Sequence, residues 1–320
     1  MYLWGKGFLR MVTPNVDTLL QLVSKSQFSQ DVRAFLVDRE AGGCSPRTLE
    51  YYSDELHYLG EWLTGQGISD TLRLTPGLIR RYLLAVGKRR NPGGVHCAYR
   101  VTKTFLRWYE VEMEPEGWTN PVGKVRPPKV PQTPLEPVST QDLKAMLATC
   151  DKSFTGTRDK AIFLALLDTG CRASEFVALN TGDVNLSSGT VLVRHGKGGK
   201  VRSVFLGAKS RRALLRYLRH RGSLGDSDPL WVTVEGRRPA VSGLRQISRR
   251  RAQRAGVKMP GLHSFRRGFA LACLRNGVDL ISLQRLMGHS DLSVLQRYLA
   301  QVEGDLQAAH AKGGPVDHLL

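Results

Sequence analysis

Seven prolines fall between residues 113 and 137 (Pro115, Pro121, Pro127, Pro128, Pro131, Pro134 and Pro137), and no other feature constrains the fold of this chain as strongly. Proline lacks a backbone N–H and fixes φ near −65°, so a stretch this dense sustains neither a helix nor a sheet ladder. The sequence therefore predicts two folded bodies joined by a linker over 113–137. Residues 25–112 form the first domain, 138–320 the second, and 1–24 an N-terminal extension. At 320 residues the chain is long enough for two cores.

Helical spacing dominates the first body. Ser45-Pro46 places an N-cap before a proline at the first helical position. Leu49, Tyr52, Leu56, Leu59 and Leu63 then share one face until Gly65 and Gly67. Thr75-Pro76 opens a helix in the same way, with Ile79, Leu83 and Val86 inward. From about Val95 to Tyr109 a further helix sets Ala98, Thr102, Phe105 and Leu106 on one side and Arg100, Lys103 and Arg107 on the other. Those three cations, at i, i+3 and i+7, form one stripe that is either a solvated face or a polyanion contact.

The second body opens on Ser139-x-x-Asp142, a capping box. Further on, Thr190-Val191-Leu192-Val193 and residues 201–206 flank Gly196-Lys197-Gly198-Gly199, which reads as a hairpin with a flexible glycine turn. Residues 230–233 are expected to add a third strand. The fold class is thus mainly α with a small antiparallel β-sheet in the second domain.

Charge placement narrows the partners. Residues 1–130 hold 18 Lys+Arg against 13 Asp+Glu, whereas residues 194–275 hold 21 against 3. A field this lopsided favours a polyanion, through phosphate neutralisation and counterion release. No run approaches the roughly 18 apolar residues of a membrane span. The N-terminal apolar run is broken by Lys6 and Arg10 and lacks a small-residue cleavage site, so a cytoplasmic protein is expected. The five cysteines are scattered without a C-x-x-C pair and read as reduced thiols, with neither a disulfide framework nor a zinc knuckle.

The second half carries a set of residues suited to one chemistry. Arg172 lies in Thr-Gly-Cys-Arg-Ala-Ser-Glu, with Glu175 three residues on and able to orient a neighbouring cation. Lys197 tips the glycine turn, His263 and Arg266 share one helix face at i and i+3, His289 follows Gly288, and Tyr298 stands nine residues later. Guanidinium groups make fork-like contacts to two phosphate oxygens that an ammonium cannot reproduce. Lysine and histidine move protons, and a phenol, with a pKa of about 10, attacks only beside an acceptor in a positive field. There is no phosphate-binding Gly-x-x-x-x-Gly-Lys-Ser/Thr loop and no carboxylate cluster of the two-metal kind, so neither ATP nor a metal cofactor is expected.

The ordered set Arg172, Lys197, His263-x-x-Arg266, His289 and Tyr298 resembles the tyrosine recombinases, the phage integrase family, and is closest in layout to the compact Xer-type recombinases. The resemblance implies a helical core-DNA-binding domain and a catalytic domain forming a C-shaped clamp on double-stranded DNA. It makes Tyr298 the nucleophile, Arg172 and Arg266 the phosphate clamps, and His263 the group that takes the tyrosine's proton. Lys197 becomes the general acid, in preference to Lys200, and His289 steadies the transition state. Arg267 stands where many relatives carry a second histidine.

DNA contacts are expected from Arg100, Lys103, Arg107, Lys200, Arg202 and Arg267. The implied assembly is a homotetramer on two DNA sites, with a possible accessory or partner recombinase, in a nucleoid-associated cytoplasmic protein. The resemblance also implies that the C-terminal tail, residues 313–320, docks into a neighbouring protomer. A type IB topoisomerase and a catalytically silent DNA-binding regulator are the competing expectations.

Overall fold

The computed structural model describes residues 26–131, 136–194 and 201–288. The chain divides between residues 132 and 133 into two compact units, each with its own core.

Unit one is helical. Helices α1 (Gln27–Ala41), α2 (Pro46–Thr64), α3 (Pro76–Gly87) and α4 (Pro92–Met113) are capped by Ser26, Ser45, Thr75 and Asn91, whose side chains each accept a first-turn N–H. Three of those caps precede a proline, which fixes φ where no N–H is needed. Leu56, Leu59, Leu63, Ile79, Leu83, Phe105 and Leu106 face inward as their spacing requires. Phe35 of α1 meets Tyr52, Phe105 and Trp108 edge to face at 5.4–5.7 Å, locking the first helix onto the second and fourth.

The proline-rich stretch is only partly a linker. After α4 ends, Asn120 caps a short 3₁₀ turn, Pro121–Lys124, and donates from Nδ2 to Leu106 O at 3.1 Å. Val122 and Val125 are buried in the core of unit one, and Tyr99 donates to Val125 O. Prolines exclude regular structure there, but the apolar residues between them still bury, so this segment belongs to the first unit.

Unit two is built around α6 (Phe154–Thr169), whose Ala161, Ile162, Phe163, Ala165 and Leu166 are all buried. It follows α5 (Thr140–Ala148), capped by Ser139. Next come α7 (Ala173–Ala178) and strands β1 (Thr190–Val193) and β2 (Arg202–Phe205), paired antiparallel with Thr190 opposite Phe205 and Val193 opposite Arg202. Helices α8 (Ala208–Leu218), α9 (Val241–Ala255), α10 (Leu262–Arg275) and α11 (Leu280–Met287) complete the described part.

Among the described residues the sheet has two strands, and 230–233 do not add a third. Leu230, Trp231 and Val232 are buried in succession instead of alternating, with Trp231 stacked on Phe176 and Tyr217. Pro229 makes one isolated antiparallel bridge with Asn180, in which Leu230 N donates to Leu179 O, but Val232 N then donates to the Tyr217 hydroxyl and the pairing does not continue through 230–233. Among the described residues no helix is long and apolar enough to cross a membrane.

Candidate active site

The site begins where α6 stops. Gly170 takes a left-handed conformation (φ 58°), and a Cβ there would lie 2.3 Å from the Phe269 ring, so only glycine permits this reversal. Two residues later Arg172 is the N-cap of α7, and its own N–H is returned to Glu175 Oε2 at 2.9 Å. The Arg172 guanidinium donates to Glu175 Oε1 at 2.8 Å and to Gly288 O at 3.2 Å, while 27% of its side chain stays exposed.

Glu175 is 3% exposed. Burial alone would raise its pKa, but the hydrogen bonds from Arg202 and Arg172 outweigh that and pull it from 4.5 down to about 2. A buried carboxylate persists only with such partners.

Three arginines converge on the end of α11. The last carbonyls of a helix have no partner within it and carry its partial negative charge. Here Leu286 O accepts from Arg202 Nε at 3.1 Å, Met287 O from Arg266 Nη2 at 2.6 Å, and Gly288 O from Arg172. Arg266 also donates from Nη1 to Gly170 O at 2.6 Å, joining the ends of α6 and α11. It is 1% exposed; burial first, then the charge of Arg172, lowers its pKa from 12.5 to about 10, leaving it protonated at neutrality.

His263 is the second residue of α10 and is exposed. Partial desolvation, then the charges of Arg266, Arg267 and Arg172, lower its pKa, which favours the neutral ring. Arg267 is half-buried, 3.5 Å from Glu136 O. On α4 of the other unit, Arg100 and Arg107 are exposed and Lys103 is half-buried. Lys197, Lys200, His289 and Tyr298 lie outside the described residues, as does the tail beyond Gly313.

One expectation is corrected. Arg202, read as a DNA contact, has a side chain only 10% exposed and directs its donors to Glu175 and Leu286. The sequence held a signal for this: with period two, Arg202 shares a strand face with Val204 and Leu206, both buried.

A sequence model of the phage integrase family matches residues 137–304, a span that contains the whole arginine cluster together with His289 and Tyr298. This chain belongs to the phage integrase family. Tyrosine recombinase XerD of Ralstonia nicotianae is 32% identical to this family member over 290 residues, covering 85% of the chain and 90% of that protein. Tyrosine recombinase XerA of Thermococcus onnurineus is 30% identical, covering 87% and 93%. The crystal structure of XerH site-specific recombinase bound to palindromic difH substrate, a post-cleavage complex, aligns with a TM-score of 0.67 over 97% of this chain and 99% of that one. At 18% identity that likeness is one of fold.

Proposed function

We propose that this tyrosine recombinase cuts and rejoins duplex DNA at specific sites through a 3′-phosphotyrosyl intermediate and a Holliday junction. The observation that carries the reading is the arginine cluster: Arg172 is fixed from behind by Glu175 and Gly288 O, yet keeps an exposed edge, as a phosphate clamp must.

In the proposed reaction the Tyr298 oxygen attacks phosphorus, and the bond to the 5′-oxygen breaks. His263, held neutral by its surroundings, accepts the phenolic proton, and Lys197 protonates the departing oxygen. Arg172 from its exposed edge and His289 offset the charge that develops on phosphorus, while Arg266, its Nη atoms held by Gly170 O and Met287 O, adds its positive field from a buried position. The bond energy is retained in the phosphotyrosine, so a 5′-hydroxyl from another strand reverses the step and exchange needs no ATP. The excess of cations over 194–275, with Lys200, Arg267 and the α4 stripe of Arg100, Lys103 and Arg107, would hold the duplex backbone. We extend the proposal to a homotetramer on two sites with or without a partner recombinase, and to action in the cytoplasm at the nucleoid.

The test is a nicked duplex that loses its 5′-hydroxyl strand after cleavage. The wild-type chain is expected to give a protein–DNA adduct that survives denaturant, and Tyr298→Phe none, with site binding unchanged. An adduct that persists in Tyr298→Phe would move the nucleophile to another residue.

A further inference from the structure

Arg202 takes part in no step of the proposed reaction, yet its guanidinium is held at three points. Nε donates to Leu286 O at 3.1 Å, Nη1 to Glu175 Oε1 at 3.1 Å and Nη2 to Glu175 Oε2 at 2.6 Å. Gly288 is shaped around it: the backbone there is left-handed (φ 62°), and a Cβ would come within 3.0 Å of Arg202 Cδ. The residue that follows Gly288 in the chain is His289.

Glu175 is shared between Arg202 and Arg172. With Arg202 removed, the carboxylate would be buried against Arg172 alone. A half-paired buried charge draws its remaining partner inward, here away from Gly288 O and from any phosphate. The same loss would free Leu286 O and slacken the end of α11.

We infer that Arg202 is a positioning residue: by holding Glu175 and the end of α11 together, it keeps the outer edge of Arg172 directed at the phosphate. The inference rests on the proposed cleavage function, deepens it, and gives a strand residue outside the proposed reaction steps a part in catalysis.

Adduct formation on the nicked duplex, measured in single turnovers at saturating protein, tests this with either oxygen or sulfur as the bridging 5′ atom. Arg202→Met should slow it by about 100-fold, with site affinity changed by less than about threefold. The loss should be equal on both substrates, because the defect lies at phosphorus and not at the leaving group. Adding Glu175→Gln to Arg202→Met should restore about tenfold, since a neutral side chain no longer needs a second cation. Arg202→Lys should fall between Arg202→Met and wild type. A urea midpoint confirms that each variant is folded, and should Arg202→Met fail to fold, Arg202→Lys provides the same comparison of substrates and affinity.

A loss confined to the oxygen substrate would assign Arg202 to leaving-group protonation. A loss of affinity with the saturated rate intact would make it a DNA contact, and no recovery in the double variant would leave it a plain structural brace; each of these overturns the inference. An undiminished Arg202→Met also overturns it while sparing the proposed function. A wild-type chain that forms no adduct overturns both.

Discussion

Among the described residues of unit two, two buried carboxylates, Asp159 and Glu175, each lie between two arginines, and the pairs serve opposite ends. Asp159 accepts from Arg158 at 2.8 and 3.0 Å and from Arg251 at 2.8 Å, and all three side chains are almost fully buried. Two further donors are used inside as well, Arg158 Nη1 by Val232 O and Arg251 Nη1 by Thr149 O. That cluster ties the start of α6 to α9, the end of α5 and the 230–233 segment. Around Glu175 the same chemistry stands at helix ends, and one of its arginines, Arg172, reaches solvent. A carboxylate between two arginines is therefore not itself a mark of a site; an arginine edge left open is.

Breaking the open cluster should cost rate, and breaking the closed one stability. Of the variants that separate the two clusters, Arg172→Lys should have the largest effect, because it keeps the charge but loses the fork: cleavage should fall by about 100- to 1,000-fold while the unfolding midpoint barely moves. A near-normal single-turnover rate would mean that bulk positive charge suffices. Next, Arg251→Met leaves Asp159 half-paired and should cost about 3–5 kcal/mol of unfolding free energy, measured by urea titration, with the rate per folded molecule unchanged. A rate loss there without a stability loss would erase the distinction between the clusters.

Gly170→Ala tests whether the open cluster depends on its backbone. Left-handed geometry and the Phe269 contact together should cost about 2 kcal/mol or more and slow cleavage by displacing the carbonyl that Arg266 holds. Normal stability and activity would show that the reversal tolerates a side chain.

The smallest expected effect is on pH. A lowered pKa keeps His263 neutral below its ordinary value of 6.5, so cleavage should decline only on the acid side of that value. Arg267→Ala removes one of the charges that lower it and should move this limb toward higher pH, whereas Arg267→Lys should not. Rate profiles from about pH 5 to about pH 8 read the difference. An unmoved limb would assign it to another group.

The chain discloses these features unevenly, for physical reasons. Ser45-Pro46, Thr75-Pro76 and Ser139-x-x-Asp142 announce their helices because a cap is local chemistry, complete within four residues. Arg172 with Glu175, and His263 with Arg266, are legible for the same reason, lying within one helical turn. Helix α1 carries Phe28, Val32, Phe35 and Leu36 at helical spacing but opens on Ser26 without a following proline, so its start is harder to see. The Arg202 tie to Leu286 spans 84 residues and follows from tertiary packing alone. Residues 230–233 show the converse limit, since a short apolar run buries equally well as a strand or as an irregular segment.

The claim that Arg172 acts on a charged phosphate oxygen is tested most directly by changing the substrate. Cleavage by wild type and by Arg172→Ala should be compared on a nicked duplex whose scissile phosphate is ordinary and on one where a methyl group replaces a non-bridging oxygen and removes the charge. Arg172→Ala should lose about 1,000-fold or more on the charged phosphate and recover most of that on the neutral one, because no anion is left for the open edge to hold. An equal loss on both substrates would contradict the account, and would make Arg172 a second closed cluster like the one around Asp159.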